Sequence, residues 1–220
     1  MHATYLINLA SPDDVVRQRS AESLLASLRR AAELGARGVV VHTGSAVSGS
    51  REAALVRMRE TLLPVLDALR PGGPELLLEP MAGQGRMLCG TMSDLAGYLE
   101  ALDWHPRAEV CLDTCHVYAA GHDLSQANGV TELLTSLQTL APGRLKLIHA
   151  NDSADPVGSR RDRHAPIGGG TMGLAAFAGL LSHPATAGIP FIVETPGGQN
   201  AHDQDVAALK QLRPGLPAIA

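Results

Sequence analysis

The sequence predicts an α/β fold in which parallel strands alternate with helices and curve into a β/α barrel, read as one domain over residues 1–220. Three observations predict it. Helical and strand-like apolar periodicities alternate along the chain with no low-complexity linker between them. The strand-like runs are apolar on both faces, as strands buried between two layers are, which makes them parallel. A metal-ligand residue type stands directly after each run, and a barrel brings the C-terminal ends of all its strands to one cavity, whereas an open sheet spreads them along a line.

Taken in order, Ser11-Pro12-Asp13-Asp14 reads as a helix start, and Leu24, Leu25, Leu28, Ala31 and Ala32 follow at helical spacing until Gly35 ends it. Residues 38–41 form a buried strand. Residues 51–69 read as a helix closed by Pro71-Gly72-Gly73-Pro74, with a strand over 75–78 after it. The alternation continues as helix 92–102 and strand 108–112, helix 124–140 and strand 145–148, helix 174–181 and strand 190–193. A last helix over 202–212 precedes a Pro-rich tail that is expected to fray.

Composition narrows the function classes. The chain is 45% hydrophobic but only 3% aromatic, so its core is aliphatic and no base-stacking surface is advertised. A formal net charge of -4 excludes a globally basic nucleic-acid binder and a polybasic membrane anchor. No stretch approaches the roughly 18 apolar residues needed to span a bilayer. Cys89, Cys111 and Cys115 are an odd number without a disulfide-framework spacing, which points to reduced, buried thiols and a cytoplasmic location.

The residues after the strands carry the chemistry. His42, Glu79, Asp113, His149 and Glu194 each end a different strand, His116 follows Asp113 by three, and Asp162 and His164 form a compact chelating pair. Imidazole and carboxylate without thiolate are the ligands of hydrolytic divalent-metal sites, and so many of them exceed the needs of one tetrahedral ion. Two or three ions are expected. Clustered divalent ions stabilise the attacking and leaving oxygens of a displacement at phosphorus, so phosphoester hydrolysis is the leading reaction class. Arg160, Arg161 and Arg163 surround the Asp162/His164 pair and form a local basic patch suited to a phosphate backbone. His105, His122, His183 and His202 lack a ligand-like setting and are read as surface residues.

The segments Cys111-Leu112-Asp113-Thr114-Cys115-His116, Ala119-Ala120-Gly121-His122-Asp123, His149-Ala150-Asn151-Asp152-Ser153 and Gly158-Ser159-Arg160-Arg161-Asp162-Arg163-His164 closely resemble endonuclease IV. The resemblance extends to Tyr5-Leu6-Ile7-Asn8-Leu9, His42-Thr43-Gly44-Ser45, Glu79-Pro80-Met81-Ala82-Gly83-Gln84-Gly85 and Ile192-Val193-Glu194-Thr195. It implies a TIM barrel that cuts double-stranded DNA 5′ to abasic sites and removes 3′-blocking groups with three zinc ions, manganese being a possible substitute. The implied ligands are His2, His42 and Glu79 for one ion, Glu79, Asp113, His149 and Glu194 for a second, and His116, Asp162 and His164 for the third. Glu79 is the implied catalytic residue, and Tyr5 matches a residue that enters the minor groove. Pro80 and Met81 stand where the family usually has Asn-Thr, and Gly169 where it has a glutamate; none of these changes removes a ligand.

Ligand spacing of about 35 to 45 residues per unit gives roughly six βα units where a closed barrel needs eight. The sequence therefore reads as an endonuclease IV barrel that is incomplete at its N-terminal end, with no obligate protein partner evident. His2, directly after Met1, is expected to have no strand to hold it, and loss of its site would leave two ions. The rival readings are a sugar isomerase or epimerase-like metal barrel, against which the Asp162/His164 pair and the arginines argue, and a non-catalytic, truncated DNA-binding relative.

Overall fold

The computed structural model describes residues 1–213; the tail expected to fray lies outside the described residues. Helix α1 (Asp14–Glu33) starts where the Asp13 carboxylate accepts the Val15 and Val16 amides, and it buries Leu24, Leu28 and Ala31. Strand β1 (Gly38–His42), helix α2 (Arg51–Asp67), strand β2 (Glu75–Glu79), helix α3 (Met92–Ala101) and strand β3 (Ala108–Asp113) follow within two residues of the expected limits. Next come α4 (Thr114–Ala119), α5 (Gly129–Leu140), β4 (Leu145–His149), β5 (Asp152–Ser153) and β6 (His164–Ala165). The chain continues with α6 (Leu174–Ser182), a 3-10 turn over Pro184–Thr186, β7 (Phe191–Ile192) and α7 (Gln199–Leu212).

Five strands pair in parallel in the order β1-β2-β3-β4-β7. Their register sets the site: His42 lies opposite Glu79, and Asp113 opposite His149. Alternation along each strand separates two cores. Val39, Val41, Leu76, Leu78, Val110, Leu112 and Ile148 belong to the large cluster shared with the helices, whereas Val40, Leu77, Cys111 and Leu147 form a small separate cluster on the other face. The ligand candidates His42, Glu79, Asp113 and His149 continue the parity of that second face.

Among the described residues β1 and β7 are not paired with each other, so the strands form an arc of a barrel rather than a closed ring. On its outer side β1 carries a single parallel bridge, His2 to Val40, secured by Ala3 N–H donating to Val40 O and Val40 N–H to Met1 O, each at 2.8 Å. Counting this bridge, six βα units are present. The expectation that nothing holds His2 is thereby corrected: two backbone hydrogen bonds do.

The helix expected over 124–140 is only α5, which begins at Gly129 after a turn over 124–128, and α4 is an additional short helix before it that the sequence did not suggest. Asp113 caps the His116 amide and starts α4 at once after β3. The chain then turns through Asp123, whose carboxylate accepts from Ser125 N–H. Gly129 approaches Asp123 O more closely than any Cβ tolerates, so α5 begins there. The β5/β6 hairpin was not expected either, because two-residue strands carry no periodicity. His105, His122, His183 and His202 are half-buried rather than on the surface; His105 faces Asp67 at 3.3 Å, and His202 Nε2 donates to Thr195 O at 2.8 Å. No helix among the described residues is long and apolar enough to cross a membrane.

Candidate metal centre

Glu79, 1% exposed, occupies the middle of the ligand candidates. Its Oε2 faces His2 Nε2 at 3.0 Å and His42 Nε2 at 3.2 Å, and its Oε1 faces His149 Nδ1 at 2.8 Å. One carboxylate thus presents a different oxygen to each of two groups of side chains, which is the disposition of a bridging ligand. Burial raises its pKa, but hydrogen bonds from His149, His2 and His42 outweigh that and hold it well below the usual carboxylate range.

His149 Nδ1 also faces Glu194 Oε2 at 3.0 Å and Asp113 Oδ2 at 4.0 Å. On the far side of Asp113 a third group assembles, with His116 Nε2 3.2 Å from Asp162 Oδ2 and His164 Nε2 3.1 Å from Asp162 Oδ1. His164 Nε2 is 3.5 Å from Asp113 Oδ2. All nine sequence-predicted ligands are therefore brought together. The donor atoms of His2/His42/Glu79, of His2/His149/Glu194 and of His116/Asp162/His164 each lie within 4.8 Å of one another.

The chemistry of these donors fits cations. A carbonyl oxygen only accepts, so an imidazole nitrogen facing one must carry the proton and leave its other nitrogen for a ligand. His2 Nδ1 donates to Ala3 O at 2.7 Å, His116 Nδ1 to Pro80 O at 2.9 Å, and His164 Nδ1 to Glu194 O at 3.0 Å. In all three, Nε2 is the nitrogen turned into the cluster. His164 Nε2 is buried without a hydrogen-bond partner. Its contact with Asp162 Oδ1 at 3.1 Å is thus a close approach of charges without hydrogen-bond geometry, as befits two donors that would share a cation.

Without a cation, excess negative charge governs the imidazoles. Burial alone would lower the pKa of His116, but Asp113, Asp162 and Glu79 raise it to about 10. The same opposition takes His164 to about 9, chiefly through Asp162 and Asp113, and moves His149 upward as well. Cys111 and Cys115 lie beside these groups. Burial pushes both thiols up to about 12, so they remain protonated packing residues, as the sequence suggested.

The three arginines differ in their commitments. Arg163 grips Asp155 through Nε at 2.7 Å and Nη2 at 2.8 Å, while Arg161 Nη1 reaches the same carboxylate only at 3.8 Å. Arg160 is exposed in the left-handed region at φ 54°, and its amide donates to Ala119 O at 2.9 Å. Tyr5 is 64% exposed, with its ring edge-on to His42 at 5.4 Å.

Two supporting residues were not singled out from the sequence. Asp152, fully buried, accepts backbone N–H groups from Ser153, Gly168, Gly170, Met172 and Gly173 and so shapes the glycine-rich loop beside the site. Asn151 joins Asp113 to Glu194. The available signal was the unbroken polar run Asn151-Asp152-Ser153 one residue after β4, with Ala150 between.

Fold and site together define a metal-binding β/α-barrel protein, and comparison with known proteins makes the class specific. Residues 1–213 match the xylose isomerase-like TIM barrel family, to which the chain belongs. Within it the chain belongs with the endonuclease 4 proteins: it is 54% identical to a probable endonuclease 4 of Streptomyces avermitilis over 98% of this chain and 70% of the relative. The corresponding Streptomyces coelicolor protein is 53% identical over 98% of this chain and 74% of its own length. The crystal structure of endonuclease IV from Thermus thermophilus superposes with a TM-score of 0.81 at 32% identity, covering 96% of this chain and 74% of that one. A D-tagatose 3-epimerase-like protein superposes at 0.75 with 22% identity, a likeness of fold alone.

Proposed function

We propose that this chain is a DNA-repair endonuclease that hydrolyses the phosphodiester 5′ to abasic sites in double-stranded DNA and clears blocked 3′ ends, with three zinc ions as resident cofactor. The observation that carries the reading is Glu79, whose two oxygens each serve a separate histidine group beside a third His/Asp/His group. His2, His42 and Glu79 would hold one ion, Glu79, Asp113, His149 and Glu194 the second, and His116, Asp162 and His164 the third. Bound there, such ions supply Lewis-acid stabilisation of the charge that builds on the phosphate oxygens, a role manganese would also fill.

The chain's own groups do the rest. The buried Glu79 stays ionised, and the carbonyl-bound histidines are held with Nε2 turned toward the substrate side of the strands. Arg160 and Arg161 are available to backbone phosphates on an otherwise acidic protein, whereas Arg163 anchors their loop to Asp155. Tyr5, at the rim beside His42, is suited to enter a groove next to the extruded nucleotide. Three unpaired, buried thiols accord with a cytoplasmic location. The third group, His116/Asp162/His164, and the adjacent arginines support phosphodiester rather than sugar chemistry.

The test is incision of a labelled duplex carrying one abasic site by zinc-replete protein. Cleavage on the 5′ side, lost on chelation and restored by zinc, is expected. A folded, zinc-loaded protein that leaves the duplex intact overturns the reading.

A further inference from the structure

Asn151 lies two residues beyond His149 and is fully buried. Its side chain spans two ligand candidates on different elements: Nδ2 donates to Asp113 Oδ2 at 2.7 Å, and Oδ1 accepts from Glu194 N–H at 2.8 Å. Its backbone is fixed as well. The Asn151 amide donates to Thr114 Oγ1 at 2.9 Å, and the Thr114 hydroxyl donates back to Asn151 O at 2.6 Å.

This position demands an amide. The side chain must donate to a carboxylate and accept from a backbone N–H at once, which an ionised Asp cannot do and a Ser does only in part. Asp113 Oδ1 is already taken by His116 N–H at 3.0 Å, so the bond from Asn151 to Oδ2 fixes the remaining freedom of the carboxylate. That oxygen is the one facing both His164 and His149. Glu194 needs the tie for a different reason: it follows a two-residue edge strand paired only with β4, so its backbone has little sheet to hold it.

We propose that Asn151 is a positioning residue that couples Asp113 and Glu194 into one cation-binding pair, an inference that rests on the reading of these two as ligands. The experiment is zinc titration against a chromophoric chelator for the wild type, Asn151→Asp and Asn151→Ser, with the absorption spectrum of cobalt-substituted protein as a second readout. One class of ions should weaken 10- to 100-fold, the usual scale for loss of a group that orients a ligand, with its cobalt band altered. The ion at His116/Asp162/His164 should be unchanged. Equal affinities in all three proteins would overturn the proposal while leaving the zinc site standing. Uniform weakening of every ion, or failure of both variants to fold, would reduce Asn151 to a structural role and overturn it too. A wild type that takes up no zinc would overturn the site reading itself.

Discussion

Five side chains of the right chemical type at strand ends, His42, Glu79, Asp113, His149 and Glu194, were legible from residue order alone, because parallel strands in a βα repeat point their C-terminal ends the same way, whereas His2 was legible only through the family resemblance. Which nitrogen of each histidine faces the cluster was not legible, since that depends on carbonyls such as Ala3 O and Pro80 O that the fold brings from elsewhere. Glu79 is the residue on which the account leans most. Glu79→Gln keeps its shape but removes the charge shared by His2, His42 and His149, so incision of an abasic duplex should fall by at least about 10²–10³-fold, the scale of losing one preorganised electrostatic group. Wild-type turnover in that variant would exclude the bridging role. The raised imidazole pKa values make a second prediction. His116 at about 10 and His164 at about 9 lie above their ordinary 6.5, so in the metal-free chain their ion pairs stabilise fully below about 6.5. That support is lost as pH rises through 9 and 10. At pH 7 these imidazoles carry protons that a cation must displace, so zinc binding should release protons and tighten with rising pH. Calorimetry of zinc binding in two buffers of different ionisation enthalpy reads this directly, and identical heats in both would contradict it.

At the scale of elements, capping residues and glycine stops located most helices within two or three residues, and the misses were the short helix α4 and the late start of α5. Apolar periodicity runs through 124–140 without a break, yet 124–128 form a turn and α5 begins only at Gly129, packed against Asp123 O, while the six residues of α4, started by the Asp113 cap, are too few to carry a helical period. The loop after β4 was likewise opaque, since its order comes from one buried carboxylate. Asp152→Ala would strand five backbone N–H groups, and thermal melting should show a loss of about 3 kcal/mol or more. A melting curve that matches wild type would show that the loop is held by other means. The arginine loop separates similarly. Arg160→Ala and Arg161→Ala should weaken duplex binding across sequences and each reduce the slope of log affinity against log salt by about 1. Arg163→Ala should instead loosen the loop by freeing Asp155, with the smaller effect on that slope.

For the whole molecule, the αβ alternation and parallel order were readable from sequence, and the six units counted there correspond to five strands and the His2 bridge. The chain spans 70% of its Streptomyces avermitilis relative, and its strands form an arc with β1 and β7 as edges. What the sequence did not reveal is how the two outermost candidates are held, His2 by the backbone hydrogen bonds of Met1 and Ala3 to β1, and Glu194 by Asn151. The central claim, that nine side chains on this arc hold three ions, is tested most directly by zinc content per chain from inductively coupled plasma mass spectrometry on purified, zinc-replete protein. Close to three ions per chain is the predicted result. One ion or none on folded protein would contradict it.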